Sequence, residues 1–145
     1  MSHSDEDWMA MAVDLARHRV GLTGDNPAVG CVLVSAGELV AASVTGEGGR
    51  PHAEEQALAA AGAKAQGATA YVTLEPCGAR SSGAPSCAQR LIQAKVARVV
   101  VACQDMSAYA SGQGAEQLRD AGIPVDAGVM AEEAAELYED YPFLG

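Results

Sequence analysis

His52-Ala53-Glu54, followed by Pro76-Cys77 and then by Cys87, places one imidazole, two thiols and one carboxylate at spacings that could serve a single site. Three of these groups are metal donors. A zinc ion held by three protein ligands keeps its fourth position for water, as a catalytic centre requires, whereas a structural site usually closes with a fourth protein ligand. Zinc in such a centre brings the pKa of its water to near 7. A carboxylate left off the metal, here Glu54, is then available to move protons. Taken singly, each residue has a plainer reading. His52 and Glu54 suit the start of a helix, and Cys77 and Cys87 could be core thiols. The combination points to a metal centre.

These side chains must be positioned by the elements around them. Trp8, Met11, Ala12 and Leu15 recur at helical spacing, which predicts an amphipathic helix over 5–18. Residues 28–35 and 38–44 read as strands joined at Ala36-Gly37 in a tight hairpin. A loop with Gly46, Gly48, Gly49 and Pro51 leads to His52, which opens a helix over 52–61 stopped by Gly62. A strand over 70–74 runs into Glu75-Pro76-Cys77, and Cys87 opens a helix over 87–95 after the loop 78–86. Strands over 97–102 and 123–126, and helices over 115–121 and 131–138, complete the pattern. Helices alternating with short apolar strands predict an α/β sandwich whose five-stranded sheet is mostly parallel after the hairpin. Helix starts favour thiolates, so this layout would suit a metal. Cys31 and Cys103 read as buried hydrophobes on strands, while His3 and His18 read as surface residues.

The 145 residues fit one domain, 1–145, with 49% hydrophobic and 19% charged residues. No apolar run approaches the roughly 18 residues of a membrane span. The polar, acidic start Met-Ser-His-Ser-Asp-Glu-Asp-Trp lacks the apolar segment of a secretory signal. A cytoplasmic protein without disulfides is the resulting expectation. The net charge is −10, and no basic cluster occurs. Nucleic-acid binders carry a basic face for phosphate, so a small soluble substrate is expected instead, with neither nucleic acid nor membrane as partner.

At these residues the chain resembles the zinc deaminases, whose pattern is His-x-Glu followed by Pro-Cys and a further cysteine. Within the cytidine and deoxycytidylate deaminase superfamily it is most similar to the pyrimidine deaminase domain of the bifunctional riboflavin-biosynthesis deaminase–reductase. The likeness rests on Asn26-Pro27-Ala28-Val29-Gly30-Cys31-Val32-Leu33-Val34, Pro51-His52-Ala53-Glu54 and the stretch from Gly67 to Cys77. Gly112-x-Gly114, Leu118 and Ala121-Gly122-Ile123 continue it. The resemblance implies a three-layer α/β/α fold, with His52, Cys77 and Cys87 on Zn2+ and Glu54 as proton shuttle. It also implies a substrate ring contacted by Asn26 and the backbone at Ala53, and a homodimer or homotetramer.

Departures from the family pattern fall in the specificity region. The loop from Cys77 to Cys87 is one residue longer than the family's, and its histidine is replaced by Ala79. Arg80 could stand in for the family's basic residue or be an exposed arginine. Where the family has Asp-Pro-Asn-Pro, this chain has Asp105-Met106-Ser107-Ala108. Asp105 follows a strand end, where open α/β sheets bind ligands, and an aspartate that merely forms a turn is the alternative. The sequence ends at Gly145 without a reductase half, so the resemblance leads to the expectation of a deaminase whose reductase is a separate protein. One reading is therefore hydrolytic deamination of the riboflavin-pathway diaminohydroxyphosphoribosylaminopyrimidine. Its rival is deamination of a free nucleobase or nucleoside through a rebuilt loop. A non-catalytic, zinc-stabilised ligand-binding module and a nucleic-acid editor are the remaining classes. Tyr138, Tyr141 and Phe143 could cover a neighbouring subunit's pocket or pack on the chain's own core.

Overall fold

The computed structural model describes residues 4–24, 27–76, 86–103 and 113–138. Helix α1 (Asp5–Arg17) begins on Ser4, whose hydroxyl accepts the Asp7 N–H while the Asp7 carboxylate accepts the Ser4 N–H. This reciprocal cap satisfies two otherwise orphaned donors. The buried stripe of α1 is Trp8, Met9, Ala12, Val13 and Ala16. Met11, expected on that stripe, is instead exposed, and Leu15 is half-buried. Close approach to the sheet explains the rotation: a Cβ on Gly30 would lie 2.0 Å from the Ala12 carbonyl oxygen. Only the small side of α1, at Ala12 and Ala16, can face a backbone that near.

Strands β1 (Gly30–Ser35) and β2 (Glu38–Val44) form the expected hairpin. Ala36 and Gly37 at its tip take φ of 54° and 78°, the positive pair whose twist matches the flanking strands. With β3 (Thr69–Leu74), β4 (Arg98–Cys103) and β5 (Val125–Ala127), the sheet order is β2-β1-β3-β4-β5. Pairing is parallel from β3 through β5. The seam between β1 and β3 is antiparallel, so the five-stranded sheet is mixed.

Alternation along the strands makes three layers, because successive side chains point to opposite faces. Cys31, Leu33, Ala70, Val72, Val99 and Val101 pack with α2 (Ala53–Ala61), α3 (Cys87–Gln93) and α4 (Gln113–Asp120). Val32, Val34, Tyr71, Val100 and Ala102 pack with α1, α5 (Ala131–Ala135) and the 3-10 turn Glu136–Tyr138. Cys31 is fully buried as expected. Cys103, the last residue of β4, is only half-buried, its Sγ 3.6 Å from the Ala131 carbonyl oxygen. His18 lies exposed at the end of α1. No helix among the described residues is long and apolar enough to cross a membrane.

Two polar ties hold the α1/α5 layer. Arg98 grips both carboxylate oxygens of Asp5 at 2.9 and 2.7 Å, and Tyr71 donates to Asp5 at 2.7 Å. The Arg98 guanidinium and then the Tyr71 hydroxyl hold the Asp5 carboxyl below its ordinary pKa, while burial and Asp5 push Tyr71 up to about 12. Deeper in, the Tyr138 hydroxyl donates its one proton to the Ala28 carbonyl at 2.8 Å. The Thr73 hydroxyl, 2.7 Å away, must then donate to Tyr138 while it accepts the Gly30 N–H at 3.0 Å. Tyr138 therefore packs on the chain's own core. Tyr141 and Phe143 lie outside the described residues.

Candidate metal centre

The segment that delivers His52 is fixed on both sides. Thr45 donates its N–H to the Val29 carbonyl at 3.0 Å, and its hydroxyl accepts the Val29 N–H at 2.9 Å. Gly46 donates to the Pro51 carbonyl at 3.0 Å. Only glycine fits there, since a Cβ would meet the Arg50 carbonyl oxygen at 2.3 Å. From α2, the Gln56 amide donates to the carbonyls of Val44 at 2.7 Å and Pro51 at 3.1 Å, clamping the segment onto the helix.

His52 then sits at the N-cap of α2 with extended backbone, φ −68° and ψ 155°, and its side chain makes no capping bond. The imidazole turns instead to α3, where its Nδ1 lies 3.3 Å from the Cys87 Sγ. Cys87 is the first residue of α3 and is buried. Ser86 before it and Gln89 after it form a reciprocal cap that fixes this helix start. Zn–N and Zn–S bonds at a tetrahedral angle would hold the two donor atoms roughly 3.5 Å apart. The spacing found is close to that, so the pair fits a shared zinc ion.

The approach to Cys77 is also built, although Cys77 itself lies outside the described residues. Glu75 extends β3 beside β4, donating its N–H to the Cys103 carbonyl at 2.8 Å. Its buried carboxylate accepts the Ala115 N–H at 3.1 Å, in the first turn of α4. Sequence reading passed over this clamp, and its place in Glu75-Pro76-Cys77 was the available signal. Asn26, Arg80 and Asp105 likewise lie outside the described residues.

Two acids stand in the first turn of α2, where the helix dipole favours negative charge. Glu54 is 4% exposed, and Ala53 before it is fully buried. Burial first, and the Glu54 charge second, push the Cys31 thiol well above its ordinary pKa. Cys31 is thus held as a neutral thiol close to Glu54. The second acid, Glu55, was not singled out from sequence. Its carboxylate supplies an oxygen that lies, with a ring nitrogen of His52 and the Cys87 Sγ, in a group whose atoms are all within 4.8 Å of one another. Arg90 of α3 stands 3.8 Å from it. Two candidate metal donors, His52 and Cys87, and the Glu55 carboxylate paired with Arg90 thus meet where α2 and α3 begin, with Glu54 buried in the same first turn of α2.

Residues 2–103 match the family model of the cytidine and deoxycytidylate deaminase zinc-binding region. The riboflavin biosynthesis protein RibD of Aquifex aeolicus is 48% identical over 137 residues, which are 94% of this chain and 38% of that protein. RibD of Acinetobacter baumannii superposes with a TM-score of 0.88 at 44% identity, over 94% of this chain and 38% of the other. A Thermotoga maritima structure described as a diaminohydroxyphosphoribosylaminopyrimidine deaminase/5-amino-6-(5-phosphoribosylamino)uracil reductase gives 0.87 at 36% identity, over 94% and 40%. This chain therefore spans about two fifths of the length of these relatives. With the zinc-binding family model matched over most of its length, the chain belongs to the cytidine and deoxycytidylate deaminase family.

Proposed function

We propose that residues 1–145 form a zinc-dependent deaminase unit that hydrolyses an amino group from a small pyrimidine-like ring, releasing ammonia. The observation that carries this reading is the 3.3 Å approach of His52 Nδ1 to Cys87 Sγ, with Glu54 buried in the first turn of the helix that His52 opens. His52, Cys77 and Cys87 would hold the zinc. The metal, when bound, supplies Lewis acidity that makes water a nucleophile near neutral pH.

The chain's own residues supply the rest. Glu54 takes a proton from the attacking water and delivers it to a ring nitrogen. The water oxygen bonds to the ring carbon, Glu54 then takes the proton of the new hydroxyl and passes it to the amino group, and the C–N bond breaks to leave ammonia and a ring carbonyl. Burial of Glu54 keeps bulk water from short-circuiting this relay. Asn26 and the backbone at Ala53 are the candidate ring contacts, and Arg80 and Asp105 the candidate contacts to the rest of the substrate.

The substrate we favour is the riboflavin-pathway diaminohydroxyphosphoribosylaminopyrimidine. Relatives at 36–48% identity are named for that pathway or that deaminase, and the matched zinc-binding region selects the deaminase over the reductase activity. A free nucleobase or nucleoside is the second reading, supported by the longer Cys77–Cys87 loop that lacks the family histidine. The same resemblance carries a homodimer or homotetramer, which sedimentation checks.

An ammonia-release screen over this intermediate, free bases and nucleosides, run with metal analysis, tests the proposal. One zinc per chain and turnover of the phosphoribosyl intermediate are expected. Glu54→Gln should lower kcat by about 10²–10⁴-fold while zinc stays bound. Full turnover by that variant would remove Glu54 from the mechanism, and ligand binding without ammonia release would leave a non-catalytic module.

A further inference from the structure

Glu55 is placed where it endangers the site. A carboxylate oxygen within 4.8 Å of both a His52 ring nitrogen and the Cys87 Sγ is within side-chain reach of any ion those atoms hold. Carboxylate oxygens are good zinc ligands. A fourth protein ligand would convert an open centre into a closed, structural one. The Cys87-bearing helix carries the counterweight, since Arg90 lies one turn further along α3 with its guanidinium 3.8 Å from the Glu55 carboxylate. Both side chains are partly shielded, 34% and 20% exposed, so their attraction is less screened than that of a surface pair.

We propose that Arg90 is a positioning residue that holds the Glu55 carboxylate off the metal and so keeps the fourth coordination position open. The inference rests on the zinc reading above. The pair bridges α2 and α3, the two helices whose first turns carry His52 and Cys87. Outer-shell partners of this kind alter metal affinity or activity by about 10–100-fold when removed.

Cobalt-substituted protein, titrated with azide and followed by visible absorption, reads the open position directly. Wild type should bind one cobalt per chain and change its spectrum on azide addition. Arg90→Gln should bind the metal at least as tightly but need about 10–100-fold more azide. Its kcat should fall with little change in KM. Arg90→Lys, which keeps the charge, and Arg90→Gln/Glu55→Gln, which removes the intruding anion, should both regain the wild-type azide response.

An unchanged azide response in Arg90→Gln overturns the proposal. So does failure of the double variant to recover, because Arg90 would then act on the fold and not through Glu55. Arg90→Met replaces Arg90→Gln if that protein does not fold, and failure of both to fold assigns Arg90 a structural role and overturns it as well. Absence of bound metal in wild type is a different result, since it removes the zinc reading itself.

Discussion

Helices α1 and α3 start on serines, Ser4 and Ser86, each locked in a reciprocal cap, whereas α2 starts on His52, whose side chain caps nothing. A serine, threonine, asparagine or aspartate at that position typically contributes about 1 kcal/mol. α2 forgoes this, and the imidazole that would otherwise be a poor cap reaches Cys87 instead. The same contrast runs through the layers. On the α1/α5 side, Asp5, Arg98, Tyr71, Thr73 and Tyr138 hydrogen-bond to one another and to backbone, and serve the fold. On the α2/α3 side, His52, Cys87 and the acid Glu55 converge on one point. A helix start left uncapped beside a buried thiol marks where stability has yielded to chemistry.

The sharpest way to break this comparison is His52→Ser. Loss of the imidazole should abolish zinc binding and take ammonia release below detection, as metal analysis and the activity assay would show. In chelator the metal-free variant should be more stable to urea than metal-free wild type by about 0.5–2 kcal/mol, since a serine can cap α2. No gain would mean that α2 is not under-capped.

Tyr138→Phe tests the other layer. It strips the hydroxyl between Thr73 and Ala28, leaving two buried groups short of a partner, and should cost about 1–3 kcal/mol in urea unfolding with zinc content unchanged. Ser4→Ala should remove about 1 kcal/mol without altering kcat or metal content, and a change in either would blur the division between helix starts.

The smallest effect expected is at Asp5. Its folded pKa is lowered, so its contribution is fully present above the ordinary aspartate range and is lost as pH falls through the lowered value. Asp5→Asn should flatten the acid side of the stability profile, below about pH 4. The change should stay within about 1 kcal/mol, because the pair is more than one third exposed on the Asp5 side. Equal acid sensitivity in the two proteins would remove Asp5 as its source.

Much of the fold was legible because local rules act on neighbours in the chain. Ala36-Gly37 between two strand-like runs gave the hairpin, and His52 and Cys87 were placed at helix starts from the residue types that follow them. Met11 was misplaced on α1 because helical spacing fits more than one stripe, and the close backbone at Gly30 chooses Met9 and Val13. Glu75, with its bond to Ala115 40 residues away, showed no periodic signal. Glu55 and Arg90 looked like ordinary solvated charges until α2 and α3 were packed together.

Residue type and spacing by themselves determined the donors, the helix starts that carry them and the alternation that makes layers, because these depend on backbone geometry over a few residues. Tertiary structure alone decided that His52 meets Cys87, that Glu55 stands beside this pair with Arg90 against it, and that Tyr138 belongs to the core. Those outcomes depend on how helices from distant parts of the chain settle on one sheet, and ångström distances between them are set by packing.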